Sequence, residues 1–233
     1  MLRLLTYNIH GTIGRLGRED PGAVLEVIRR ADADVIALQE VYDDEGQPGS
    51  FLRKLEGLGY AATIHGPVLK HARGAYGNVM MSKIEPTEIQ RIDLDTGGLE
   101  PRGAIRFHLD LPDGPLDVCG IHLGLSPGER LRQIRRLDTE LAKADDRHDD
   151  VLQVLMGDLN EWRPGTRFMR AVRRRFPHVS RCRTFPARWP LIALDRIAVR
   201  GNIRNLRFRR IDTPPADRAS DHRPLLAEIE PGR

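Results

Sequence analysis

The sequence predicts an α/β fold in which two strand-rich units pack sheet against sheet. Three observations carry this. Short apolar runs of strand character recur from one end of the chain to the other, helical runs interrupt them, two with helix-start signals, and the two halves repeat one order of elements. The N-terminal half reads strand, TYNIHG, helix, DVIALQEV, and the C-terminal half reads strand, VCGIHLG, helix, VLMGDLNE. Each unit leaves polar residues just past the end of a strand that otherwise reads as buried: Asn8 and Glu40 in the first, His122, Asp158 and Asn160 in the second. Ligands of open α/β sheets sit in the crevice outside such strand ends.

Strands are expected at Leu2 to Ile9, Asp34 to Gln39, Gly77 to Ser82, Ala104 to Leu111, Leu116 to Ile121, Val151 to Met156, Leu194 to Val199, Ile203 to Arg210 and Pro224 to Ile229. In the fourth, Ile105, Phe107, Leu109 and Leu111 alternate with Arg106, His108 and Asp110, the pattern of a half-buried strand in antiparallel pairing. The first helix starts at Asp20, a cap, and Pro21, suited to the first helical position; Val24, Val27, Ile28 and Ala31 then share a face. Ser126, Pro127 and Glu129 form a capping box ahead of Leu131, Ile134, Leu137 and Leu141. Ser50 to Leu58 and Thr166 to Phe176 complete the helices.

No low-complexity linker divides the 233 residues, so one domain over 1–233 is expected, large enough to bury a core without staples. Hydrophobic residues make up 40% and charged residues 30%, with a mean hydropathy of −0.43. No apolar run approaches the roughly 20 residues of a membrane span. The opening MLRLLTYNIHG turns polar too soon for a signal peptide and alternates like a strand. A cytoplasmic monomer is the expectation. Cys119 and Cys182 fit no zinc spacing, so any metal must be held by oxygen.

The formal charge is +4 and the pI about 9.4, which suggests an anionic partner. Only four of the 37 basic residues are lysine, however, and an arginine bias of that kind also follows from GC-rich coding. The distribution says more than the total. Trp162 to Leu194 holds nine arginines and no acidic residue, a stretch suited to a polyanion such as nucleic acid or to peripheral contact with an anionic membrane. Trp189, Pro190, Leu191 and Ile192 in that stretch could dip into an interface. Asp145 to Asp150 holds four aspartates and reads as a solvated loop.

Taken singly, Asn8, Glu40, Asp158, Asp195 and Asp221 are polar groups closing strand ends, and Asn8 and Asn160 serve equally well as turn residues. Taken together they supply the hard oxygen donors that Mg²⁺ or Mn²⁺ prefers, and His122 and His222 add groups able to meet phosphate oxygens.

TYNIHG, DVIALQEV, GNVMMS, EPRGAIRFHL, IHLGLSPGERLRQ, GDLNEW, LDRIAV and SDHRPL follow one another from residue 6 to residue 225. In this ordered set the sequence resembles the endonuclease/exonuclease/phosphatase superfamily, most closely its compact bacterial hydrolases. The resemblance implies a four-layer DNase I-like sandwich, two mixed β-sheets face to face with helices outside. It also implies a divalent-metal-dependent phosphoesterase, with Mg²⁺ or Mn²⁺ as cofactor and direct attack by water on the P–O bond. Glu40 would be the principal metal ligand with Asn8 beside it, and Asp221 would lie near the metal. Asp158 would hold or deprotonate the water, Asn160 would donate to a phosphoryl oxygen, and Asp195 would fix the tautomer of His222, which binds the phosphate. His122 would contact the phosphate or assist the leaving group.

Three further residues are candidates for substrate contact, each beside a plain alternative. Asn78 orients Glu40 or a loop, Arg102 reaches a phosphate or lies on the surface, and Arg130, with Glu129 and Gln133, caps a helix or approaches His122. Glu100 is placed to partner His122, and His10 lies behind Asn8. A nuclease or other phosphodiesterase on nucleic acid leads the expectation. A phospholipid, sphingolipid or phosphoinositide phosphodiesterase or phosphatase is the alternative, and a non-catalytic phosphate-binding module is the second.

Overall fold

A computed structural model describes residues 1–43, 49–71, 74–97, 100–145 and 151–232. Its strands are β1 (Leu2–Asn8), β2 (Val35–Asp43), β3 (Ala62–His71), β4 (Gly74–Ser82), β5 (Glu88–Asp93), β6 (Gly103–Leu111), β7 (Gly114–His122), β8 (Leu152–Asp158), β9 (His178–Val179), β10 (Asp195–Arg200), β11 (Ile203–Arg210) and β12 (Leu225–Pro231). The helices are α1 (Pro21–Ala31), α2 (Phe51–Glu56), α3 (Pro127–Asp145) and α4 (Arg167–Arg175). One six-stranded sheet runs β11-β12-β1-β2-β4-β3 and the other β5-β6-β7-β8-β10-β9. Both are mixed. The repeated order of the two halves becomes β1-α1-β2 and β7-α3-β8, each a parallel pair joined by a helix at the middle of its sheet.

Leu4, Ala37 and Met80 of the first sheet pack against Phe107, Val118 and Met156 of the second, which is the central interface. The outer face of the first sheet, with Ile36 and Leu38, takes Val24 and Ile28 of α1 and Leu55 of α2. The outer face of the second, with Ile121 and Leu155, takes Leu137 of α3 and Met169 of α4. These four layers are the DNase I-like sandwich the motifs imply. Every strand of the parallel pairs is covered on both sides, which is why these runs read as continuous apolar stretches.

Local signals account for the helix starts. The Asp20 side chain accepts from Ala23 N with Pro21 next, and Thr166 accepts from Met169 N. Three strands escaped the sequence reading: β3 carries Gly66 and Pro67, β5 is exposed at five of six positions, and β9 has two residues. None has the alternation that announces a strand. The aspartate-rich stretch from 146 to 150 lies outside the described residues.

Candidate active site

One edge of the sandwich collects the polar strand ends. Asn8 ends β1 beside Gln39 of β2, and His122 ends β7 directly opposite Asp158 at the end of β8. Asp195 starts the antiparallel β10 opposite the same Asp158. His222 lies just ahead of β12, which runs antiparallel to β1 and so begins at this edge.

The backbone is bent to aim these groups. Pairing of β2 with β4 shifts between Leu38 and Val41, and inside that bulge Glu40 sits at φ 58°; Asn160, past the end of β8, sits at φ 51°. Left-handed backbone at two non-glycine residues of one site is stored strain, which the surrounding packing must sustain. Gly157 is needed for a related reason. It has a φ of 151°, and a Cβ there would overlap the carbonyl oxygen of Ile121 on β7. Glycine therefore lets β8 close on β7 one residue before Asp158.

Asp158 is the hub. Its Oδ1 accepts from Asn160 N at 2.9 Å and its Oδ2 from Asn8 Nδ2 at 3.1 Å. The same Asn8 nitrogen donates to Glu40 Oε1 at 2.8 Å, while Asn8 Oδ1 accepts from His10 N at 3.0 Å. Two histidines face Asp158 Oδ2 through Nε2, His122 and His222, each at 3.8 Å. His122 Nε2 also lies 3.9 Å from Glu40 Oε1. Burial and the neighbouring Asp195 carboxylate push the Asp158 carboxyl up to about 6.

The two histidines hold opposite charge states. His122 Nδ1 lies 3.1 Å from Arg102 Nη1, which can only donate, so Nδ1 is the acceptor and the proton sits on Nε2, facing the carboxylates. Burial first, then Arg102, holds His122 well below the usual imidazole range, and the ring is neutral. His222 also lies in a buried position, which by itself opposes protonation. Its Nδ1 is 2.8 Å from Asp195 Oδ2, and Asp195 and Asp158 together push it up to about 10. His222 is therefore an imidazolium with Nε2–H aimed into the site.

Several expectations need adjusting. Glu100 does not partner His122; it accepts from Arg102 Nη2 at 2.6 Å and so fixes the arginine that binds His122. Arg102 is buried, not a surface residue. Asn78 donates to the carbonyl of Gly103 at 2.9 Å and thus holds a loop. Arg130 is buried, with Nη2 on Glu161 at 3.1 Å and Nη1 on the carbonyls of Gly124 and Leu125. Glu129 and Gln133 are buried as well and do not solvate α3; Gln133 donates to Glu129 and accepts from Gly124 N. Asp221 sits to one side, 3.6 Å from His10 Nδ1 and 3.3 Å from Ser220 Oγ. Asn160 Nδ2 donates to Leu123 O at 2.8 Å, which leaves its second N–H available.

Ser220, Phe185 and Glu161 were not singled out by sequence reasoning. Ser220 Oγ donates to Asn8 O at 2.8 Å and accepts from His222 N at 3.2 Å, tying the end of β1 to the segment that leads into β12. The Phe185 ring lies 4.9 Å from that of His222 and covers it. Ser220 and Glu161 each stand inside a matched motif, SDHRPL and GDLNEW, which was the available signal.

A cation fits this site by its donor set. Glu40 and Asp158 share one amide nitrogen, their histidine neighbour His122 is neutral, and no lysine or arginine pairs with Glu40 among the described residues. That leaves Glu40 as a hard oxygen donor with uncompensated charge, beside Asp158. Asp158, Asp195 and His222 also offer atoms within 4.8 Å of one another. Those atoms are already satisfied as an aspartate–imidazolium pair, so the Glu40 side of Asp158 is the better cation position.

The profile of the endonuclease/exonuclease/phosphatase family matches residues 5–222. The chain belongs to that family. It is 26% identical over 245 residues to the uncharacterized protein YbhP of Escherichia coli K12, covering 97% of this chain and 95% of that one. Among solved structures, the human Nocturnin catalytic domain, with sulfate bound, superposes with a TM-score of 0.76 at 20% identity, over 98% of this chain and 93% of that one. A mannosyl-6-phosphatase from Bacteroides thetaiotaomicron gives 0.76 at 15% identity, over 99% of this chain and 100% of that one. These likenesses bear out the fold of the family, and the family's members hydrolyse phosphoesters.

Proposed function

We propose that residues 1–233 act as one catalytic unit, a Mg²⁺- or Mn²⁺-dependent phosphoesterase that cleaves a P–O bond by direct attack of water. One observation carries the reading: the Asp158 carboxylate, held near the middle of the pH scale, lies between the N–H groups of a neutral and a cationic histidine, with Glu40 alongside.

Phosphoryl transfer needs charge relieved on the non-bridging oxygens, an aligned water and help for the leaving oxygen. His222 donates Nε2–H to a phosphoryl oxygen as a fixed cation, and Asp195 prevents it from losing that proton. His122 donates Nε2–H to a second oxygen or to the leaving group, its tautomer set by Arg102. The free N–H of Asn160 supports the phosphoryl group from the β8 side. Asp158, with a carboxyl near 6, accepts a proton from water at neutral pH. Glu40 and Asn8 would hold the divalent cation, which supplies charge neutralisation at the phosphoryl group when bound. Asp221 is placed to serve the site from its rim through His10.

Hydrolysis of bis-p-nitrophenyl phosphate with Mg²⁺, with Mn²⁺ and in EDTA tests this. Metal-dependent release of nitrophenol that Asp158→Asn removes is the expected result. A phosphate-binding module without turnover releases none. Nucleic acid was the leading substrate expectation because of the arginines between 162 and 194. In the fold, Arg167, Arg170 and Arg174 line a groove with Arg135 between α3 and α4, on the outside of the second sheet. A panel of plasmid DNA, single-stranded oligonucleotides, RNA and phospholipid vesicles separates the substrate classes.

A further inference from the structure

The loops around the site mouth carry exposed apolar side chains with exposed arginines next to them in sequence. Among the described residues eight large hydrophobic side chains stand exposed, and five of them occupy the loops at the catalytic edge: Leu16 at 76%, Leu125 at 67%, Trp162 at 54%, Trp189 at 69% and Leu191 at 65%. Leu125 follows the strand that ends in His122, Trp162 follows Asn160, and Trp189 and Leu191 precede Asp195.

These loops touch one another. Arg130 bonds both the Leu125 carbonyl and Glu161, the neighbour of Trp162. Trp162 and Leu191 line one cavity. Ala187, two residues before Trp189, donates to Asp221 O, and Arg15, beside Leu16, donates to Arg218 O in the same loop as Asp221. The loops that carry these five side chains thus adjoin one another along one side of the mouth.

Arginine flanks most of these tips. Arg15 precedes Leu16, Arg163 follows Trp162 and Arg188 precedes Trp189, and all three are exposed. Arg15 and Arg188 have no acidic partner among the described residues. Exposed tryptophan and leucine beside unpaired arginine is the composition of a face that enters a headgroup layer, the rings and aliphatic chains dipping in and the guanidinium groups meeting lipid phosphates. A nucleic-acid strand would ask instead for open aromatic planes. Three of the five tips are leucine, and Arg163 lies over the Trp162 ring at 5.9 Å.

We propose that this rim docks on an anionic bilayer and that the phosphoester delivered to the site is the headgroup of a membrane phospholipid. The inference rests on the phosphoesterase reading above and names its substrate class.

Cosedimentation of the full chain, in EDTA, with phosphatidylcholine vesicles and with mixed phosphatidylcholine and phosphatidylglycerol vesicles tests the docking. Binding to the mixed vesicles, with a blue shift of tryptophan emission, is expected. The double variant Trp189→Ala with Leu191→Ser should partition about tenfold or more weakly. It should also release less product from mixed vesicles when Mg²⁺ is present, while hydrolysing soluble bis-p-nitrophenyl phosphate as the parent does. Absence of vesicle binding, binding that the double variant retains in full, or binding of a single-stranded oligonucleotide in its place overturns the proposal. Failure to cleave the soluble ester counts against the phosphoesterase reading alone, because vesicle binding is read without turnover.

Discussion

Arg102 donates from Nη1 to Nδ1 of His122 across 3.1 Å, inside the sandwich and with its other nitrogen anchored on Glu100. A guanidinium never accepts, so this contact decides which nitrogen of His122 carries the proton. Nitrogen-15 spectra of the metal-free protein at pH 7 should show His122 as the Nε2–H tautomer and His222 protonated at both nitrogens. Two identical tautomers would contradict the site electrostatics. Arg102→Met should let His122 take either tautomer and lower kcat/KM by about tenfold or more.

Asp158→Asn keeps the shape of the hub but removes its basicity. The expected loss in kcat is about 10²- to 10⁴-fold, the usual contribution of a positioned general base. Far-ultraviolet circular dichroism should stay that of the parent, because the amide is isosteric and its oxygen still accepts from Asn160 N, so that only the bond from Asn8 Nδ2 is lost. Turnover close to the parent's would remove Asp158 from the mechanism.

Glu40→Gln removes charge from the proposed cation position without shortening the side chain. The Mg²⁺ concentration for half-maximal activity should rise on the order of tenfold or more, since carboxylate count tunes the affinity of such sites. An unchanged metal titration would place the cation elsewhere.

Stability in chelator should fall with rising pH because of His222. Its folded-state value, pushed up to about 10, lies above the 6.5 of an ordinary histidine. A group raised in this way stabilises fully below pH 6.5, and its contribution is lost as pH rises through 10. Asp158, titrating near 6, has finished its change by pH 7.5, and burial of the Cys119 thiol adds a loss of its own only above about pH 9. Thermal melts in EDTA between pH 7.5 and 9 should therefore drop more for the parent than for Asp195→Asn, in which the partner of His222 is neutral.

Gly157→Ala tests the close approach of β8 to β7. A left-handed φ and an overlap with the Ile121 carbonyl should together cost about 3 kcal/mol or more, read as a lowered Tm. The same substitution at Gly165, where no atom stands near a Cβ, should leave the Tm close to the parent's.

Much of this was readable along the chain. Among the described residues the four α-helices lie where the sequence expects them, two of them from caps and apolar spacing, and nine of the twelve strands have their own apolar runs. Asn8, Glu40, His122, Asp158, Asp195 and His222 all follow or precede such runs, and all meet at one edge. Arg102 and Arg130 were harder to read. A lone arginine in a loop looks the same in sequence whether it faces water or is buried on a histidine or a glutamate, because the difference lies in what another part of the chain brings to it.

The sequence by itself determined the alternation of strands and helices, the repeated half-unit and the set of polar groups at strand ends, since each depends on residues near one another in the chain. Only the tertiary structure decided that His122 is neutral and His222 cationic, that Glu100 acts through Arg102, and that the loops carrying five exposed apolar side chains adjoin at one edge. Those properties arise between residues as far apart as Asn8 and Ser220, and charge, tautomer and surface are set by neighbours in space.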